Sequence, residues 1–212
     1  MSNALQEHLA SMPVIAILRG VTPDSVIDVA QAIIAAGITV IEVPLNSPDA
    51  VQSIRLLDKN LHAKGVFGCG TCVDLDSATA VANAGAKIMV TPNTNPEIIA
   101  HAITLGMTPI PGWATVSEAF AAYHAGARHL KLFPASTYGE AHIKAARAVL
   151  PSNAQILAVG GVGAANAGAW FAAGVSALGI GSDLYKAGFS AEEVASRANS
   201  IASAMTKIKS DG

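Results

Sequence analysis

The sequence predicts a single-domain (β/α)8 barrel, the TIM barrel architecture of the α/β class, spanning residues 1–212 with a short N-terminal helix. The first observation is composition: 51% of the residues are hydrophobic and 13% are charged, so the fold must bury an unusually large surface. The second is an internal repeat, in which an Ala-Gly pair precedes an apolar run at four places along the chain. The pairs are Ala36-Gly37, Ala84-Gly85, Ala125-Gly126 and Ala173-Gly174.

Each repeat is typical of a helix that ends at a left-handed glycine and turns into a buried strand. The predicted strands, in chain order, are Pro13–Leu18, Thr39–Val43, Lys64–Gly68, Lys87–Thr91, Thr108–Pro111, Arg128–Phe133, Gln155–Val159 and Ser176–Ile180. Helices are predicted between them, three of which start at Thr22-Pro23, Ser47-Pro48 and Asn95-Pro96. The last helix is predicted over about residues 191–207. Strict alternation predicts parallel strands with right-handed crossovers, and a doubly wound open sheet is the structural alternative.

Charge and hydropathy narrow the classes of partner. The net charge is -2, and Lys and Arg are scattered without a basic stripe, so we expect no nucleic acid partner. The longest apolar runs, such as Pro13–Leu18, are far too short to span a membrane. The first residues, including Ser2 and Asn3, lack a signal-peptide pattern, so a cytoplasmic location is expected. A small molecule is the expected partner, and the scarcity of charge favours an oligomer.

Two charged residues lie late in predicted buried strands, which is costly unless they have a partner or a function. Lys131 is in the sixth strand, and it is either a paired structural lysine or an amine whose depressed pKa lets it attack a carbonyl. Glu42 is in the second strand, and strand alternation allows both side chains to point into the barrel mouth. An acid beside an amine suits imine chemistry, and a buried salt bridge without chemistry is the alternative.

Further residues at strand ends are suited to bind anions. Arg19, after the first strand, is placed either to grip a carboxylate or to pair with a surface helix. Thr71 follows the third strand, and its hydroxyl suits a carboxylate or phosphate oxygen. Val159-Gly160-Gly161 and Gly181-Ser182 end the seventh and eighth strands, where barrels of this kind commonly bind phosphate. Each glycine cluster alone is also compatible with a tight turn.

No metal site or cofactor site is predicted. Cys69 and Cys72 form a C-x-x-C pair, but the chain has no second pair to complete a zinc site, so we interpret them as two reduced thiols. Only His129 among the histidines falls in a predicted strand, and there is neither an H-E-x-x-H motif nor a cluster of carboxylates.

Several motifs together resemble one enzyme family, the class I 2-keto-3-deoxy-6-phosphogluconate and 6-phosphogalactonate aldolases. The resemblance covers nearly the whole chain, from Ile15 to Tyr185. The motifs are Glu42-Val43-Pro44-Leu45-Asn46-Ser47-Pro48, Val90-Thr91-Pro92-Asn93, Pro111-Gly112-Trp113-Ala114-Thr115, Leu130-Lys131-Leu132-Phe133-Pro134 and Ala158-Val159-Gly160-Gly161.

The resemblance implies a role for each candidate. The lysine matching Lys131 forms an imine with the 2-keto group, and the glutamate matching Glu42 acts as acid and base. Arg19 and Thr71 would bind the acid end of the substrate. The phosphate would be held by Gly160, Gly161, Gly181 and Ser182. The implied reaction converts a phosphorylated keto-sugar acid to pyruvate and glyceraldehyde 3-phosphate, without a cofactor, in a homotrimer.

Within the family, the stretch from Pro44 to Pro48 and the valine at Val159 resemble galactonate enzymes; gluconate enzymes have Leu-Arg-Thr and a threonine at the corresponding places. Cys72, Trp113 and His129 depart from the common pattern, and Trp113 is expected near the mouth. The alternatives are the same reaction on the gluconate epimer, an epimerase or synthase of phosphosugars, a metal-dependent lyase, and a non-catalytic phosphosugar-binding barrel.

Overall fold

The structure is a computed structural model that describes residues 4–210. Its helices are α1 (Ala4–Ser11), α2 (Pro23–Ala35), α3 (Ala50–Leu61), α4 (Leu75–Asn83), α5 (Pro96–Thr104), α6 (Val116–His124), α7 (Ala135–Arg147), α8 (Ala167–Ala172) and α9 (Ala191–Ser210). Its strands are β1 (Val14–Ile17), β2 (Val40–Pro44), β3 (Val66–Gly70), β4 (Ile88–Val90), β5 (Thr108–Ile110), β6 (Gly112–Trp113), β7 (His129–Leu132), β8 (Gln155–Val159) and β9 (Ala177–Ile180).

The strands form one parallel sheet in the order β5-β4-β3-β2-β1-β9-β8-β7-β6. Its two outer strands, β5 and β6, are separated only by Pro111, and the Lys131 N–H donates to the Pro111 carbonyl at 2.9 Å. The sheet therefore curls into a nearly closed barrel, which confirms the predicted fold class and excludes the open sheet. The predicted fifth strand is corrected in one respect: it continues beyond Pro111 as β6, which pairs with β7.

The amino-terminal half of the barrel interior is an apolar plug. It contains Ile15, Val40 and Leu157, and α1 closes it from below with Leu5 and Leu9. A second, larger core fills the space between the strands and the surrounding helices. Successive strand side chains alternate between these two cores, so a residue placed two positions after a plug residue stays on the inner face of the barrel and lies closer to its mouth.

Helix starts follow local capping chemistry. The side chain of Asn95 accepts from the Glu97 and Ile98 N–H groups before α5, and Thr115 with Glu118 forms a capping box before α6. α3 begins two residues later than the predicted Pro48 start, at Ala50. The last helix starts where predicted and runs on to Ser210.

Residues 4–210 thus lie in one barrel, whereas residues 1–3 and 211–212, Ser2 and Asn3 among them, fall outside the described part of the chain. Over that described part, no helix is both long enough and apolar enough to cross a membrane.

Candidate active site

Glu42 lies inside the barrel mouth, near the end of β2. Val40, two residues earlier, belongs to the apolar plug, so Glu42 points inward above it. The side chain is 3% exposed, and its Oε2 has no hydrogen-bond partner among residues 4–210. A buried carboxyl oxygen without a partner is uncommon and costly in folded proteins. It is therefore available to bind a hydroxyl group or a water molecule of a substrate complex.

Lys131 lies inside the same mouth on β7. Its register partner on β8 is Leu157, another residue of the plug, and cross-strand partners share a face of the sheet. The side chain is 6% exposed, and its Nζ lies 4.6 Å from the centre of the Phe133 ring. This places an amine in a largely apolar environment, as the sequence predicted.

Burial shifts both groups toward their neutral forms. Desolvation raises the pKa of Glu42 from 4.5 to about 7, against the opposing charges of Lys131 and Arg19. Desolvation lowers the pKa of Lys131 from 10.5 to about 8, opposed by Glu42 and assisted by Arg19. Near neutral pH a neutral amine and a proton-accepting carboxylate are therefore both accessible, as carbonyl attack and proton transfer require.

Arg19 lies in the turn after β1, which ends one residue earlier than predicted, at Ile17. Its guanidinium Nη1 donates to Oδ1 of Asn46 at 2.6 Å. The side chain is exposed, yet its charge influences the pKa of both Glu42 and Lys131. Arg19 is therefore close enough to the acid and the amine to hold an anionic group beside them.

A cavity of about 510 Å³ opens over the ends of β8 and β9. Six of the predicted site residues line it: Arg19, Val159, Gly160, Gly161, Gly181 and Ser182. Glu42, Lys131 and Thr71 are not part of its lining. Ile17 and Phe133 connect the cavity to the buried pair, because Ile17 is the register partner of Glu42 and Phe133 contacts the Lys131 amine.

The loop after β8 has a shape that requires glycine. Gly160 and Gly161 have φ values of 96° and 71°, in the left-handed region, and a methyl group at Gly161 would press against Ser136. Asn166 stabilises the loop: its Oδ1 accepts from the Gly163 N–H at 3.0 Å, and its Nδ2 donates to the Gly161 carbonyl at 2.9 Å. The main chain consequently forms a bare, concave wall of the cavity, which suits an oxyanion.

Thr71 lies apart from the cavity lining. It is half-buried in the loop after β3, with φ at 58°, and it follows Gly70, which packs against the Glu42 carboxyl group. Its neighbours Cys69 and Cys72 are both buried, free thiols. The structure thus places Thr71 directly after a residue that packs against the acid, and outside the lining of the cavity.

Trp113 and His129 do not lie where they would shape the mouth. Trp113 is buried in the outer core and stacks on His142 of α7, with ring centres 5.5 Å apart, so the expectation that it lies near the mouth is wrong. His129 points toward the amino-terminal end, where it lines a cavity of about 130 Å³. Burial lowers its pKa.

Metal ligands are not clustered in the part of the chain that the structure describes, where no three His, Cys, Asp or Glu residues could hold an ion together. Sequence analysis missed some of the cavity lining, including Ile17, Tyr185 and Lys186. Ile17 could have been found, because it lies two residues before Arg19 and a strand has a two-residue period. Tyr185 and Lys186 follow the last strand, where no period applies.

Gly70 offers a test of how tightly the acid is positioned. A methyl group there would overlap the Glu42 carboxyl group, so Gly70→Ala is expected to displace that group and to lower kcat about a hundredfold. Gly168→Ala is the matched control, because a methyl group there lies 4.0 Å from its nearest neighbour, Ile208. Steady-state kinetics on folded samples measures both. Equal activity of the two variants would show that Glu42 does not need this position.

Three comparisons with known proteins all find similarity to one family of aldolases. The family model described as KDPG and KHG aldolase matches residues 5–199. The 2-dehydro-3-deoxy-6-phosphogalactonate aldolase of Escherichia coli K12 is 45% identical over 88% of this chain and 91% of its own length. The 2-dehydro-3-deoxy-phosphogluconate aldolase of Pseudomonas aeruginosa is 34% identical over 60% of this chain and 56% of its own. A solved structure described as native KDPGal superposes with a TM-score of 0.92 at 44% identity, covering 94% of this chain and 97% of that one.

Proposed function

The chain belongs to the KDPG and KHG aldolase family of class I, Schiff-base carbon–carbon lyases, and on that premise we propose that it cleaves 2-dehydro-3-deoxy-6-phosphogalactonate to pyruvate and glyceraldehyde 3-phosphate. The observation that carries the proposal is the buried acid–amine pair, Glu42 and Lys131, beneath a cavity with a glycine wall. Membership in this family argues against three alternatives that the sequence left open: an epimerase or synthase, a metal-dependent lyase and a non-catalytic barrel.

In the proposed mechanism, the neutral Lys131 amine attacks the C2 carbonyl of the substrate and forms a carbinolamine. Loss of water gives an iminium ion, which acts as the electron sink. The C3–C4 bond then breaks, its electron pair moves toward the iminium nitrogen, and the C4 hydroxyl proton passes to Glu42. Glu42 returns a proton to C3 of the resulting enamine. Hydrolysis releases pyruvate and regenerates the amine, so neither a metal nor a cofactor is needed.

The cavity suggests how the substrate lies. Arg19, near both members of the pair, is proposed to bind the C1 carboxylate, which is adjacent to the carbon that Lys131 attacks. Thr71 is proposed to assist at that end. The phosphate is proposed to bind the main-chain groups of Gly160, Gly161 and Gly181 and the hydroxyl of Ser182, all of which line the same cavity.

Val159 is proposed to determine the preference between C4 epimers. It ends β8 inside the cavity, and its methyl groups pack against Gly179. A threonine at this position could hydrogen-bond to one epimer, and a site built around such a bond discriminates against the other. Valine offers no such bond, which supports the galactonate substrate. The Pseudomonas gluconate enzyme matches a smaller share of this chain than the galactonate enzyme does.

Kinetics on both epimers tests this proposal. The wild type is expected to have the higher kcat/KM on the 6-phosphogalactonate substrate. Val159→Thr is expected to shift the ratio toward the 6-phosphogluconate substrate by about tenfold, the effect of one modest hydrogen bond. A wild type that prefers the gluconate epimer would contradict the substrate assignment, and an unchanged ratio in the variant would contradict the role of Val159. Trp113 is not a substitute selector, since it lies in the outer core.

We also propose that residues 1–212 form one domain that acts in the cytoplasm as a homotrimer. The low share of charged residues, 13%, and the exposed apolar side chains Val73, Tyr138 and Val149 support assembly. Sedimentation analysis measures the oligomeric state directly, and a purely monomeric species would contradict the trimer.

A further inference from the structure

We propose that Asn46 is a positioning residue, which holds the Arg19 guanidinium at the barrel mouth through an uncharged acceptor and leaves its full positive charge to the substrate carboxylate. The inference rests on the proposed function, in which Arg19 binds the acid end. Its central observation is the hydrogen bond from Arg19 Nη1 to Asn46 Oδ1, at 2.6 Å.

The main chain at Arg19 is already fixed on two sides. The Gly20 N–H donates to Oγ of Ser47 at 2.9 Å, and Ser47 is buried. On the other side, the Leu18 N–H donates to the Glu42 carbonyl of β2 at 3.0 Å. The long arginine side chain beyond this anchored turn is exposed, and it would lose considerable rotamer entropy on binding a ligand. A fixed acceptor reduces that loss before the substrate arrives.

Asn46 is itself held by the barrel. The Leu45 N–H donates to the Gly70 carbonyl of β3 at 2.8 Å, and the Ser47 N–H donates to the Pro44 carbonyl at 2.9 Å. The segment that follows β2 is therefore a turn tied to the sheet on both sides of Asn46. One strand consequently delivers two groups: Glu42 points into the mouth, and Asn46 lies four residues later at the rim.

The choice of an amide has an electrostatic reason. A carboxylate at this position would form a charge-assisted pair with the guanidinium and compete with the substrate carboxylate. Arg19 also helps to hold down the pKa values of Glu42 and Lys131. Asp183 and Lys186 are the other charged side chains that line the same cavity, and a substitution at Asn46 leaves both in place. Because the charge of Arg19 lowers the pKa of Lys131, a carboxylate paired with Arg19 would raise that pKa and shift imine formation to higher pH.

The test uses the full chain and pyruvate as the probe. Pyruvate contains only the acid end and the keto group, so its imine with Lys131 should depend on Arg19 and not on the glycines and Ser182 that are proposed to bind the phosphate. The imine is trapped with borohydride, and the trapping rate is measured against pyruvate concentration and pH. The variants are Asn46→Asp and Asn46→Ala. The control is Asn83→Asp, the same change at an exposed residue that ends α4, at the opposite end of the barrel.

We expect Asn46→Asp to raise the half-saturating pyruvate concentration by more than about tenfold, since a charged hydrogen bond is lost to the competing pair. Its pH profile should move to higher pH. Asn46→Ala should raise that concentration by a smaller factor, about threefold to tenfold, without this upward shift. Both variants matching the Asn83→Asp control within about twofold would overturn the proposal. A wild type that traps no pyruvate would instead overturn the imine function, which keeps the two failures distinguishable.

Discussion

Replacing Lys131 with methionine is expected to abolish aldol cleavage while leaving the barrel folded. Methionine has nearly the same length and no nucleophile, so kcat/KM should fall by about 10⁵-fold or more, as when other covalent catalysts lose their nucleophile. The matched control is Lys144→Met, on an exposed position of α7, which should keep wild-type activity. Residual cleavage by Lys131→Met within about a hundredfold of wild type would contradict covalent catalysis by this residue.

The same variant should be at least as stable as the wild type at neutral pH. The folded-state pKa of Lys131 is lowered to about 8, so below that pH the folded chain carries a buried charge that the unfolded chain exposes to water. The resulting cost in stability is present below pH 8 and is relieved as the pH rises toward the unfolded value of 10.5. Thermal unfolding should therefore show a stability advantage of the variant that narrows above pH 8. A markedly less stable variant at pH 7 would indicate that Lys131 serves mainly as a structural partner of Glu42.

Replacing Glu42 with glutamine should lower kcat by about a thousandfold, within the range usual for loss of a general acid–base group. Glutamine preserves the shape but can neither accept the C4 hydroxyl proton nor return one to C3. The charge of Glu42 raises the pKa of Lys131, so its removal should lower that pKa and leave imine formation possible at neutral pH. The variant is thus expected to separate the two steps, with imine formation retained and proton transfer lost.

Two measurements distinguish these steps in Glu42→Gln. Trapping with pyruvate reports imine formation, and exchange of the pyruvate methyl protons in heavy water reports proton transfer at C3. The control is Glu97→Gln, an exposed residue in the first turn of α5. Proton exchange by Glu42→Gln within tenfold of the control would assign the acid–base role to another group.

Much of this architecture was predictable because its causes are local or periodic. Ala-Gly pairs end helices through the left-handed conformation of glycine, and they marked four strand starts. The two-residue period of a strand placed Glu42 and Lys131 on the inner face, as the apolar plug beneath them shows. The two glycine clusters follow consecutive strands, which are neighbours in a barrel, so both clusters were expected at one site, and both line the same cavity.

Other features depend on distances that no local pattern encodes. Trp113 was expected near the mouth, but the chain continues after Pro111 as β6, and Trp113 packs into the outer core. Thr71 follows its strand as predicted, but whether a loop residue reaches the cavity depends on how the loop folds. The contact between Arg19 and Asn46 joins two loops 27 residues apart in the chain, which follow the paired strands β1 and β2.

Borohydride reduction in the presence of pyruvate tests the central claim most directly, because only an iminium ion is reduced to a stable secondary amine. Peptide mass mapping of the inactivated wild-type protein should place the adduct on the peptide that contains Lys131, and Lys131→Met should acquire none. A protein that cleaves its substrate but forms no adduct at Lys131 would contradict the mechanism.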